Sequence, residues 1–123
     1  MKYSLKSIVL KNCPYSNALV ETLKNNNIKA NIITVTYENK DKYKTKYIST
    51  FPQLYLMKKN TNNKLNEILL IGGYTETKKI LDIINDTSEL DISQRINIIK
   101  EKLQLLYPNT NNKNILRLIK LLK

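Results

Sequence analysis

The 123-residue chain has no histidine, no tryptophan and one cysteine, Cys13. A single cysteine allows no intramolecular disulfide, which excludes a small secreted scaffold stapled by bridges. Without histidine, one thiolate cannot close a zinc site within the chain. No apolar run approaches the roughly 20 residues of a membrane helix, so no transmembrane segment is expected. The basic start holds only Ile8, Val9 and Leu10 before Lys11 interrupts, too short a stretch for a secretory signal. A reducing compartment, the cytoplasm, is the expected location. Glycine occurs only at Gly72 and Gly73, and arginine only at Arg95 and Arg117.

Apolar residues make up 41% and charged residues 25%, the composition of a globular protein, and the length suits one hydrophobic core. Lysine and arginine number 21 against 10 acidic residues, a formal charge of +11. Such an excess favours contact with something acidic. It is spread along the chain, with net +6 over residues 1–90 and +5 over 91–123. Heavy use of Asn, Ile and Lys also suits an AT-rich genome, whether of a large DNA virus, a protist or a bacterium. A viral origin would leave a place in the virion open.

Hydrophobic periodicity predicts a strand over 7–12, a helix over 14–25 and a strand over 30–36. A short exposed helix is expected over 37–48, where Lys40, Lys42, Lys44 and Lys46 interleave with Tyr43 and Tyr47; a solvated face accounts for this run. Two strands, 53–58 and 66–71, read as a hairpin about a polar turn at 60–63. Helices follow at about 75–84, 92–106 and 113–122. The order β-α-β-α-β-β-α predicts an α/β fold, a four-stranded mixed sheet with helices on both faces. The chemistry-bearing part is assigned to a domain of residues 1–88, and residues 89–123 to a basic helical extension packed on it or appended to it.

Cys13-Pro14-Tyr15-Ser16 lies between the first strand and the first helix. Proline suits the first helical turn. A sulfur at a helix N-terminus faces unpaired N–H groups and the positive end of the helix dipole, which favour a thiolate, the nucleophilic form. A lone cysteine is otherwise a small buried hydrophobe.

Cys-Pro-Tyr-Ser resembles the Cys-Pro-Tyr-Cys site of glutaredoxins, with Ser16 in place of the second cysteine. Thr50-Phe51-Pro52 is similar to that family's Thr-Val-Pro segment, and Gly72-Gly73-Tyr74-Thr75-Glu76 to its double-glycine turn. The resemblance covers about residues 6–86. It implies the thioredoxin-like fold, a cis bond before Pro52, and a glutathione-dependent thiol–disulfide oxidoreductase of monothiol type. In that reading Cys13 is the catalytic thiol. Pro14, Tyr15 and Ser16 complete its motif, and Lys11, Tyr15, Phe51, Pro52, Gly73, Tyr74, Thr75 and Glu76 contact glutathione. Glutathionylated proteins are the expected partners, and a monomer the expected state. The family's lysine three residues before the cysteine is replaced by Leu10; Lys11 either substitutes for it or is simply exposed. The family also implies a further reading, two chains bridging a [2Fe–2S] cluster through Cys13 and bound glutathione.

The stretch from Asn114 to Lys123 places Ile115, Leu118, Ile119 and Leu122 on one helical face and Lys113, Arg117, Lys120 and Lys123 on another. Packing on the protein's own core explains such a helix, as does docking to a partner or membrane by a catalytically weak module. Nucleic acid is not expected, because the tail holds no stacking aromatic except Tyr107.

Overall fold

The computed structural model describes residues 2–123. Its elements are β1 (Tyr3–Leu10), α1 (Pro14–Asn25), β2 (Asn31–Val35), a 3-10 turn (Lys40–Tyr43), β3 (Gln53–Lys59), β4 (Leu65–Gly72), α2 (Tyr74–Asp86), α3 (Ile92–Leu106) and α4 (Asn112–Leu122). The four strands form one mixed sheet in the order β2-β1-β3-β4, with β1 parallel to β2 and the other two pairings antiparallel. The expected α/β architecture is therefore present.

Burial follows sheet position. The central strand β3 buries five consecutive residues, Gln53 to Met57, because both of its faces are covered. The edge strand β2 buries only Val35. One face of the sheet gathers Ile8, Val35, Tyr55 and Met57, with Tyr43 and Phe51 packed against them. Helix α1 ends where Asn27 turns left-handed at φ 57, its N–H bonded to the Lys24 carbonyl and that of Ile28 to the Leu23 carbonyl. This pair of bonds satisfies carbonyls that the helix end would leave open.

The segment 37–48 departs from expectation, since only Lys40–Tyr43 is helical, as a 3-10 turn. Side chains take over the backbone there. Asn39 Oδ1 accepts the Thr36 N–H, and the Thr45 hydroxyl accepts those of Tyr47 and Ile48. The first strand starts four residues earlier than expected, because Tyr3 and Leu5 are buried in alternation with partly exposed neighbours.

The chain forms two compact units that divide within α2, the first running through Thr77 and the second comprising Lys78–Lys123. In the second unit, Asp91 caps α3 and Asn111 caps α4, each side chain accepting the N–H three residues on. Arg95 Nη2 donates to the Ile84 carbonyl at 3.2 Å, joining α3 to the end of α2. Ile115, Leu118, Ile119 and Leu122 of α4 are buried, while Lys113, Arg117, Lys120 and Lys123 are exposed. The apolar face that a membrane or an external groove would need is thus covered. No helix among the described residues is long and apolar enough to cross a membrane.

Candidate active site

Cys13 is placed by the way β1 hands over to α1. The Lys11 N–H extends the strand pairing to the Val35 carbonyl at 2.9 Å. Asn12 then turns with φ 63, a left-handed conformation that asparagine tolerates better than most residues. Cys13 comes next, in extended conformation as the N-cap of α1, and Pro14 opens the helix. The Cys13 carbonyl accepts the Asn17 N–H at 2.9 Å, and its side chain is half-buried, neither sealed nor fully open. Ser16 is buried, and its hydroxyl oxygen accepts the Leu10 N–H at 3.0 Å. The hydroxyl thereby ties the end of β1 to the first turn of α1.

A groove of about 290 Å³ is lined by Tyr15, Thr50, Phe51, Pro52, Gly73, Tyr74, Thr75 and Glu76. The Phe51–Pro52 peptide bond is cis. The Tyr15 and Tyr74 rings meet at 6.5 Å between centroids, tilted by 44°. Thus the residue two beyond the cysteine, the cis-proline turn and the start of α2 share one depression. Thr50 joins them, although the family resemblance assigns it no contact with glutathione.

The paired glycines are required here for different reasons. Gly72 has φ +130, and a Cβ on it would stand 2.7 Å from Glu76 Cγ and Oε1. A Cβ on Gly73 would stand 3.2 Å from the Pro52 carbonyl oxygen. Glu76 reaches back so that its Oε1 accepts the Gly73 N–H at 2.7 Å. The Thr77 hydroxyl and N–H both donate to the Gly73 carbonyl, at 2.8 and 3.1 Å. The start of α2 is therefore capped largely by its own residues.

Beneath the groove, Gln53 is fully buried. Its Nε2 donates to the Tyr43 carbonyl at 3.0 Å and the Thr50 carbonyl at 3.2 Å, and its Oε1 accepts the Tyr55 hydroxyl at 2.9 Å. Burial pushes the Tyr55 phenol above its ordinary value, and the nearby Glu67 charge adds to the shift. Nothing in the sequence signals this role for Gln53, since a glutamine at the head of a strand more often faces solvent.

Lys11 is not part of the groove. It is exposed and lines a separate cleft with Glu21, Lys24, Ile32 and Thr34, on the α1 side of β2. Among the described residues, no three His, Cys, Asp or Glu side chains come together as a metal site.

The glutaredoxin family model matches residues 1–60, which take in Cys13 and the Phe51–Pro52 segment. Among solved structures the chain is similar to glutaredoxin 1 from Francisella tularensis, determined in complex with cacodylate. That likeness has a TM-score of 0.50 and 23% sequence identity, and covers 68% of this chain and 98% of the other. No curated protein matches. At this identity the structural likeness speaks for the fold, the thioredoxin-like one, and the family model adds a likeness over the first 60 residues. The motif residues Cys13 and Phe51–Pro52 thus lie in a span similar to glutaredoxins, and the sheet is of the matching fold.

Proposed function

We propose that the chain is a glutathione-dependent thiol–disulfide oxidoreductase acting through Cys13 alone. The observation that carries this reading is the half-buried Cys13 at the N-cap of α1, with Tyr15 two residues on lining the Phe51–Pro52 and Gly73–Glu76 groove. The Cys13 thiolate attacks the glutathione sulfur of a protein–glutathione mixed disulfide. The protein sulfur leaves with the electron pair of the broken S–S bond and takes up a proton. Cys13 now carries glutathione in a new disulfide. A second glutathione thiolate attacks the bound glutathione sulfur, releasing glutathione disulfide and restoring the Cys13 thiolate. Each exchange replaces one S–S bond with another, so no further oxidant or reductant is needed. Ser16 offers no resolving thiol, so dithiol reduction of protein disulfides is expected to be poor.

In the groove, the Phe51 backbone would pair with the tripeptide as an added strand does. Pro52 and Tyr15 would wall the pocket. Tyr74 and Thr75 at the start of α2 would offer N–H groups to the γ-glutamyl carboxylate. The Gly73 N–H is held by Glu76, so it becomes available only if that carboxylate moves. Glu76 is the group expected to face the glutamyl ammonium. Lys11 lines the neighbouring cleft, so a contact with the tripeptide would require its exposed side chain to turn toward Cys13. All of these residues lie in the proposed 1–88 domain, and a single chain supplies them. The reaction belongs in a compartment that maintains reduced glutathione, such as the cytoplasm.

The test is reduction of a glutathionylated peptide by glutathione, with glutathione disulfide formation monitored through a coupled reductase. Wild-type protein should turn over and Cys13→Ser should not. Equal rates for the two proteins would defeat the proposal.

A further inference from the structure

The Lys/Tyr-rich segment from Tyr37 to Tyr47 is not needed for the thiol exchange, yet it is built in an unusual way. Tyr37 and Tyr47 are exposed at 73% and 76%. Each carries a lysine ammonium over its ring, Lys40 at 3.8 Å and Lys46 at 4.9 Å from the centroid. The segment's two carboxylates are engaged locally. Asp41 pairs with Lys44 at 2.8 Å, and Glu38 bonds its own backbone N–H and the Thr36 side chain. Lys42 and Lys46 are exposed and Lys40 half-buried, and none of the three closes an ion pair among the described residues, although Lys40 lies near enough to Asp41 to help lower its carboxyl. Stacking on tyrosine also orders two of these ammonium groups, which lessens the entropy lost when they bind.

This surface is fastened to the groove. The buried Gln53 amide bridges the Tyr43 and Thr50 carbonyls, and Thr50 lines the groove. Tyr47 is three residues from Thr50, a span of at most about 11 Å of chain. We propose that this segment is the docking surface for an acidic stretch of the disulfide-bearing partner protein, held beside the groove. Turnover of the docked partner rests on the proposed thiol exchange; docking itself does not. Carboxylates suit the surface better than nucleic acid, because single-strand binding uses free ring faces for base stacking and here lysines cover one face of each ring.

The experiment measures binding of a fluorescent glutamate-rich peptide by anisotropy, on the full chain at about 0.02 M and about 0.3 M salt. A matched neutral peptide and a single-stranded oligonucleotide are compared. The variants are Lys40→Gln/Lys42→Gln/Lys46→Gln and, with the same loss of charge, Lys113→Gln/Lys120→Gln/Lys123→Gln on α4. Wild type should bind the acidic peptide and not the neutral one, and high salt should weaken the complex. The first variant should lose about tenfold in affinity, three exposed ion pairs' worth, and the α4 variant less than about twofold. Equal losses in the two variants, or tighter binding of the oligonucleotide than of the peptide, would overturn the proposal. Peptide binding that persists while a glutathionylated acidic peptide is never turned over would sink the thiol-exchange reading and leave the docking surface standing.

Discussion

Replacing Gly72 by alanine probes how the start of α2 is assembled. The new Cβ would sit at φ +130, where a residue other than glycine is strained by about 1–3 kcal/mol. It would also stand 2.7 Å from Glu76 Cγ and Oε1, so that side chain must swing away and give up its 2.7 Å bond to the Gly73 N–H. Losing that bond at an exposed helix end costs about 1 kcal/mol. The sum, about 2–4 kcal/mol, corresponds to a fall in Tm of about 6–20 °C for a chain of this size. Thermal and urea unfolding monitored by circular dichroism would measure it. The Glu76→Ala background separates the two contributions. It removes Cγ and Oε1 but leaves a Cβ at 2.8 Å, so Gly72→Ala should cost about 1 kcal/mol less there without becoming neutral. A Gly72→Ala protein within about 0.5 kcal/mol of wild type would refute both the backbone strain and the crowding.

Ser16→Ala strips the Leu10 N–H of its acceptor and should destabilise by about 1–2 kcal/mol in urea unfolding. Ser16→Cys should recover little of that stability, sulfur being the weaker acceptor, but should add reduction of protein disulfides in an insulin-precipitation assay. Tyr55→Phe should cost about 1 kcal/mol near neutral pH, through loss of the bond to Gln53 Oε1. Because the folded Tyr55 phenol titrates above its unfolded value, its contribution is complete below pH of about 10 and declines as pH rises beyond it. The stability gap between Tyr55→Phe and wild type should therefore narrow in urea titrations above that pH.

Much of this architecture was legible because hydrophobic pattern and punctuation agree. Helix α1 has its expected limits, since Pro14 fixes one end and the Asn25-Asn26-Asn27 run supplies the left-handed residue at the other. Helix α3 likewise runs over the expected Ile92–Leu106, where Asp91 marks the start. The early part of β1 escaped notice because Tyr3 and Leu5 alternate with Ser4 and Lys6, a weaker signal than the Ile8-Val9-Leu10 run. Residues 37–48 contain good helix formers, but no apolar stripe rewards a helix, and Asn39 and Thr45 offer the backbone local bonds instead. At the site, the motif residues identified the groove's walls. They could not reveal that Lys11 falls in another cleft, that Gln53 underpins Thr50, or that Glu76 bonds Gly73. Each of these depends on where neighbouring elements bring a side chain, which sequence spacing does not encode.

The inward reach of Glu76 has one more consequence. A negatively charged guest arriving at the head of α2 finds the Gly73 donor already shared with a resident anion. To use that donor the newcomer must displace the resident, which stays tethered beside the groove, so two negative charges then stand where there was one. Salt should therefore ease anion binding at that donor by screening the two carboxylates from each other, the opposite of its effect on attraction arising from the lysine-rich exterior.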